Sequence, residues 1–511
     1  MFKEYFIGLK NAFTLKFIGF LFSSQLFIKG TVYLVSTTTM LPIFKAMNMD
    51  AVHVQLYATL SMSPWSIKPL VGVLSDIITV RGYHKRYYLI QCTLVGMLSG
   101  IALTLIPHQL AYSMVIVVCY FGLHYQISIL DLLSEGTYAR IMKEHPETGT
   151  NIITLVNAFQ TTGQLIGLLF IGPMSDAGLF LPIFIITAIL CTVPLIPILL
   201  GWLPETKTGN ACFSIDWSFI SGNKFPLAVV ALTGLSGPIL ALITIYVDHL
   251  IGIICAFIML SLAIAGAYSV FPMLIGNVAL YLVLIKIGKP SLGSAMDFFY
   301  TANHACVPNG PAFDFGYYIT YTGIVSAIMS IVSIFIYQRF MSKWRYRSVL
   351  IFTSCLVGFV GLSDLVMVLR WNIAIGIPDK VFYIFGESIF ENIVSMLFWI
   401  PSSSIIAKVC PKKMEATTYA FLAGISNFGG MTSNMLGAII FKSAGIKTTL
   451  GECNFESLWW LVFVFHTITP LIFGVGASFL IPNKRQTEDL LSEKTRDLTQ
   501  EFNLEDTSDL Q

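Results

Sequence analysis

Apolar residues run along this chain in blocks of about 20, the length of helix that crosses a bilayer, and the blocks are punctuated by Pro, Gly and charge. Such windows fall near 17–44, 52–78, 87–106, 111–140, 150–175 and 180–203. A polar connection from Pro204 to Lys224 follows. Two more runs, 226–247 and 249–270, are divided only by Asp248 and His249 and predict an inserted hairpin. Six further windows lie near 272–303, 313–338, 347–369, 381–407, 416–441 and 457–481. The pattern therefore predicts fourteen spans, or twelve without the hairpin. The window 272–303 contains Gly288, Pro290 and Gly293, which predict a helix broken near the midplane with backbone dipoles exposed to a cavity.

Composition narrows the class. Of 511 residues, 55% are hydrophobic and 11% charged, against about 25% charged in soluble proteins. A soluble enzyme, a disordered scaffold and a fibrous protein are excluded. The net charge of +2 argues against a nucleic-acid partner. Nine cysteines without a CxxC pair suggest no zinc or redox site, so neither a metal nor a cofactor is expected. Cys306 and Cys453, both in loops predicted outside, are candidates for a disulfide.

Charge asymmetry sets the orientation. Lys3, Glu4, Lys10 and Lys16 precede the first run without a cleavage-site pattern, which predicts a retained, cytosolic N-terminus. Loops predicted inside carry Arg81, Lys85 and Arg86, then Arg140 and Lys143, then Arg339, Lys343, Arg345 and Arg347, then Lys412 and Lys413. Arg370, Lys380, Lys442 and Lys447 fall near the outer face and depart from the rule. The acidic segment 482–511 reads as a disordered cytosolic tail. A multi-pass protein with both termini cytosolic is expected, most simply in the plasma membrane.

The two six-span blocks, 1–203 and 272–481, resemble each other at an offset near 260. Ile28-Lys29 matches Ile285-Lys286. Arg86-x-x-Leu89-Ile90 matches Arg347-x-x-Leu350-Ile351, Ala139-Arg140-Ile141 matches Ala407-Lys408-Val409, and Gly163 matches Gly430. An all-α integral membrane fold of two parallel six-helix halves, with 204–271 as connection and hairpin, resembles the major facilitator layout. Gly72-x-x-Ser75-Asp76, followed by Arg81 to Arg86, resembles that superfamily's loop signature. Asp76, Arg81, Arg86 and Arg140 are thus candidates for an ionic gate, with simple positive-inside anchoring as the alternative.

Longer strings narrow the resemblance. Pro64-Trp65-Ser66-Ile67-Lys68-Pro69-Leu70, Asp131-Leu132-Leu133-Ser134-Glu135-Gly136, Gly172-Pro173-x-Ser175-Asp176-Ala177-Gly178 and Cys410-Pro411-Lys412-Lys413-Met414-Glu415-Ala416-Thr417 resemble the folate-biopterin transporter family. The resemblance spans residues 60–430. It implies a proton-linked, alternating-access carrier of folates, pterins or related metabolites, with the solute held between the halves near the midplane. Some relatives carry S-adenosylmethionine, so the solute stays open.

Charges at membrane depth are costly unless paired or wetted, and so mark candidate sites. The basic set is Lys29, Lys68, Lys286 and Lys289; Lys29 and Lys286 are repeat-related and suggest an anion site. Ion pairing for Lys68 and snorkelling for Lys289 are the structural alternatives. Asp131 with Glu135, and Glu387 with Glu391, each place two carboxylates on one helix face at i, i+4. Two such groups are hard to ionise together in low dielectric, which suits proton exchange; one could instead accept the adjacent N–H groups of a pterin. Pairing of Glu135 with Arg140, or of Glu387 with Arg370, is the bland alternative. Gln25 and Asn427 are candidate hydrogen-bonding groups, and Trp65 and Phe299 candidate stacking surfaces. A membrane-embedded enzyme is disfavoured, because the eight histidines are dispersed, and a channel because no pore loop recurs. The expected partners are a small solute, protons and membrane lipid.

Overall fold

The computed structural model describes residues 9–490 apart from 11, 145, 210, 248, 411–414, 450 and 489. Asp248, the basic loop at Lys412 and Lys413, and the acidic tail beyond residue 490 lie outside the described residues. The chain is almost wholly helical. It opens with α1 (Leu15–Ala46), α2 (Ala51–Ser61) and α3 (Pro64–Ile77). Next come β1 (Ile78–Val80), α4 (Arg86–Leu105), α5 (Ser113–Glu144), α6 (Pro146–Asp176) and α7 (Phe180–Leu199). After β2 (Phe213–Ile215) come α8 (Lys224–Tyr246) and α9 (His249–Val270), the expected hairpin. They are followed by α10 (Met273–Ile287), α11 (Gly293–Thr301), α12 (Gly316–Met341) and α13 (Tyr346–Val368). The last three are α14 (Asp379–Lys408), α15 (Glu415–Ser443) and α16 (Leu458–Ser478).

Among the described residues, eleven helices are long and apolar enough to cross a membrane. The other three predicted windows are helical as well. The window 52–78 is divided between α2 and α3, and α3 starts with Pro64 at its first helical position, where the missing N–H costs nothing. The window 272–303 is divided between α10 and α11 by the segment carrying Gly288 and Pro290. The third is α15. Many of the largest apolar side chains face outward, among them Leu98, Leu105, Leu169, Ile189 and Phe359. Polar groups such as Gln25, Lys68, His124, Asp131 and Asp364 are buried. A surface of this kind suits a hydrocarbon solvent, in which backbone groups must be satisfied within the helices.

The chain forms two compact units. One comprises residues up to Asn223 together with Asp297–Ala327 and Thr448–Glu452; the other comprises Lys224–Met296, Ile328–Lys447 and Cys453 onward. In the first unit α1 and α6 cross at glycines. A Cβ on Gly163 would collide with the Leu26 carbonyl, and one on Gly30 would lie 2.8 Å from the Gly163 Cα. The Thr31 hydroxyl donates to the Gly163 carbonyl at 2.8 Å across this contact. The helices are therefore held backbone to backbone, as small residues permit in membranes. In the second unit the α8–α9 hairpin packs on α15, where the Met435 side chain occupies the space a Cβ on Gly252 would need.

One set of contacts repeats in both units. Arg86, at the start of α4, donates to the Leu199 carbonyl at the end of α7 at 2.7 Å, and Arg140 donates to the Pro204 carbonyl at 2.8 Å. In the second unit Arg347, near the start of α13, donates to the Ile481 carbonyl at 3.0 Å beyond α16, and Lys408 donates to the Gln486 carbonyl. The basic residues that match between the sequence blocks thus clamp carbonyls at and beyond the ends of α7 and α16, a favourable place for cations. Cys92, Cys119, Cys191, Cys212, Cys255 and Cys355 carry free thiols.

Glycine at 163 is required by backbone contact, whereas a Cβ at its sequence match Gly430 meets nothing within 4 Å. Gly163→Ala should therefore lose roughly 1–3 kcal/mol through overpacking, while Gly430→Ala should leave stability unchanged. Thermal unfolding of the two purified variants in detergent checks this, and equal Tm values would refute it.

Candidate functional site

In the first unit the charged candidates converge on one carboxylate. The Asp131 side chain, 3% exposed, receives Lys29 Nζ at 2.5 Å on one oxygen and Lys68 Nζ at 2.6 Å on the other. Glu135, one helical turn along α5, lies 3.6 Å from Lys29. Two cations and two carboxylates compensate one another, as buried charges must. Lys68 also sits 4.4 Å from the Trp65 ring centroid on its own helix, a cation–π contact.

Trp65 Nε1–H donates to His124 Nδ1 at 3.2 Å, and Tyr33 packs edge-on against both rings. Because indole can only donate, Nδ1 is an acceptor and the ring proton lies on Nε2, a buried atom with no hydrogen-bond partner among the described residues. Gln25 is also buried, and its Oε1 likewise has no partner among the described residues.

The second unit holds a cavity of about 590 Å³, a size suited to a small organic ligand. Lys286, Lys289, Trp399, Asn434 and His466 contribute to its wall. Lys286 Nζ lies 5.8 Å from the Trp399 ring centroid. Lys289, in the break between α10 and α11, is 3.7 Å from Glu391 Oε1, and the Ser395 hydroxyl donates to the same oxygen at 3.0 Å. The break is pinned to α15, where the Ser433 hydroxyl donates to the Lys289 carbonyl at 2.8 Å. Behind the wall, His466 Nδ1 and Asp364 Oδ2 are 2.6 Å apart. Glu387, on α14, neighbours Asp364.

Four of these residues share a backbone feature. Lys29 lies in a π-helical stretch, Phe22–Val32; Glu387 and Glu391 lie in another, Ile384–Glu391; His466 lies in a third, Phe463–Ile468. Such widened turns re-aim side chains and recur at functional sites.

The remaining sequence candidates are placed differently. Phe299 is buried in the first unit, edge-on against Tyr300. Asn427 is half-buried and does not line the cavity of its own unit, whereas Asn434 does. Neither bland acid–base pairing forms: Arg370 makes a two-point ion pair with Asp379 at 2.7 and 2.6 Å, and Arg140 binds the Pro204 carbonyl. Asp76 faces Lys85 and His84, while the Arg81 guanidinium lies over the Tyr87 ring, 5.7 Å from its centroid. The anion that organises this loop is Glu205, whose carboxylate accepts the backbone N–H groups of His84 at 2.5 Å, Lys85 at 2.7 Å and Arg86 at 3.2 Å, at the start of α4. Burial pulls the Lys85 ammonium below its usual value, and the neighbouring Asp76 opposes that shift.

Sequence reasoning missed Asp364, His466, His124 and Trp399. The two histidines and Trp399 carry no spacing signal; Asp364 could have been found as an acid inside the apolar window 347–369.

Comparison with known proteins agrees with this architecture. The BT1 family model matches residues 29–501. The chain is 25% identical over 448 residues to "Probable folate-biopterin transporter 6" of Arabidopsis thaliana, covering 86% of this chain and 77% of that protein. It is 22% identical over 443 residues to "Folate transporter 1" of Plasmodium falciparum, covering 84% and 72%. Among solved structures, the POT family transporter PepTSo superposes with a TM-score of 0.66 at 11% identity, covering 91% of this chain and 97% of that one. A D-xylose-proton symporter superposes with 0.53 at 12% identity, covering 96% and 99%. The fold is thus of the major facilitator type.

Removing Asp131 alone leaves two buried ammoniums facing one another. Asp131→Asn should cost about 3–5 kcal/mol, and adding Lys68→Met should restore part of it, because Lys29 keeps Glu135. Unfolding of the single and double variants reads the coupling; strictly additive losses would show that the cluster is not a unit.

Proposed function

Because this chain belongs to the BT1 family, and is a multi-pass membrane transporter rather than an enzyme, we propose that it is a proton-linked, alternating-access carrier of folate-type or pterin-type solutes. The observation that carries the reading is the cavity of the second unit, which combines two lysines with an indole face. A flat heterocycle stacks on Trp399, and the carboxylates of a folate pair with the Lys286 and Lys289 ammoniums. Asn434 and the cavity serines supply hydrogen bonds to ring nitrogens and amino groups. The similarity to relatives named folate-biopterin and folate transporters points to the same solutes. In this reading the Lys29–Lys68–Asp131–Glu135 cluster of the first unit holds its helices in register and rearranges during the cycle, its ions already paired.

The excess of Lys and Arg in alternate loops favours both termini in the cytosol and a plasma-membrane location. The basic residues Arg86 and Arg140 then act as clamps within their own unit, and any gating role passes through them to Asp76 and Arg81. A second reading, a cationic solute such as S-adenosylmethionine, is favoured by the carboxyls Asp364, Glu387 and Glu391 beside the same cavity.

Uptake of labelled folate, biopterin and S-adenosylmethionine into proteoliposomes tests both readings. Saturable uptake of biopterin that folate competes away is expected, and uptake of S-adenosylmethionine alone would replace the first reading by the second. Trp399→Ala should raise the KM for biopterin roughly 2- to 10-fold, the equivalent of about 0.5–1.5 kcal/mol of ring contact. An unchanged KM would remove Trp399 from the site.

A further inference from the structure

The group that carries the proton can be sought among the titratable side chains around the cavity. Three helices converge there by close backbone approach. A Cβ on Gly361 of α13 would collide with the His466 carbonyl of α16, and one on Gly386 of α14 would lie 3.0 Å from the Ser363 Cβ. These contacts bring Asp364, one turn beyond Gly361, against His466 at 2.6 Å and against Glu387. The groups facing the histidine from the packed elements are Asp364 from α13, Glu387 and Glu391 from α14, and Lys286 and Lys289 from α10 and the break after it.

We infer that His466, oriented by Asp364, is the proton-carrying group of this transporter, and that its protonation releases Lys289 from Glu391 to meet an anionic solute. The inference rests on the proton-linked reading given above and names its coupling site. Asp364 accepts the Nδ1 proton, which leaves Nε2 as the atom that takes and returns a proton at the cavity wall. A proton on Nε2 adds positive charge beside Asp364, Glu387 and Glu391, so the pull on Lys289 weakens across a low-dielectric wall. The Lys289–Glu391 separation of 3.7 Å is longer than a tight ion pair and leaves the ammonium at the cavity. Proton and anionic solute thus bind together and leave together, which is a coupling free energy between two sites.

The test uses the purified full chain in proteoliposomes with labelled folate, comparing uptake driven by a pH gradient with exchange at equal pH. For one proton per solute, a gradient of about one unit supports about tenfold accumulation. The ratio of driven accumulation to exchange should fall from about ten to about one in His466→Gln, which keeps a hydrogen bond to Asp364, and in Asp364→Asn. Either folded variant retaining the wild-type ratio overturns the inference. If neither variant assembles, ¹⁵N spectra of the histidine-labelled wild type decide. One imidazole changing its protonation state on folate binding supports the assignment, and no change overturns it. A wild type that exchanges folate but ignores the gradient would sink the proton-linked reading instead, and one that moves no pterin or folate would sink the choice of solute.

Discussion

A buried ion in a low-dielectric interior has to be compensated, and most of the polar architecture of this protein is a response to that constraint. In the first unit the compensation is complete: Asp131 takes two ammoniums, and Glu135 stands by Lys29. In the second unit it is partial. Three carboxyls, a histidine and Lys289 share a smaller supply of positive charge, and they do so at a cavity wall. Related positions in two sequence blocks have thus become a closed cluster in one unit and an open one in the other.

The means of placing these groups is backbone geometry rather than side-chain length. Glycines bring helices into backbone contact at Gly30–Gly163 in the first unit and at Gly361 in the second. The π-helical stretches around Lys29, Glu387 and His466 rotate polar side chains toward the interior of segments that are otherwise apolar. The cost is a poorer hydrogen-bond ladder over one turn, tolerable where neighbouring helices cover the backbone.

Arg86 and Arg140 illustrate how a signature can be right in position and different in role. The loop before Arg86 matches a gating motif, yet Arg86 binds the last carbonyl of α7 and Arg140 one just beyond it, as Arg347 and Lys408 bind carbonyls beyond α16. The carboxylate that orders the loop is Glu205, from the connection after α7. A capping interaction across about 120 residues of sequence has no local pattern to announce it.

Hydropathy by itself determined that the chain is a helical membrane protein, that most of its apolar windows are long helices, that 249–270 belongs to a hairpin, and that the helix after it breaks at Gly288 to Gly293. These are properties of single segments, fixed by the length of apolar runs and by residues that cannot continue a helix. The motif strings carried the family, and the rarity of intramembrane charge picked out Lys29, Lys68, Asp131, Glu135, Lys289 and Glu391. Which charge meets which was decided only in the tertiary structure, because partners such as Lys68 and Asp131, or Asp364 and His466, are 63 and 102 residues apart and are chosen by helix rotation and crossing. For the same reason Phe299 became core, Asn434 rather than Asn427 reached the cavity, and His466 acquired a carboxylate. A side chain's chemistry is written in the sequence, but its environment is set by the helices that pack around it.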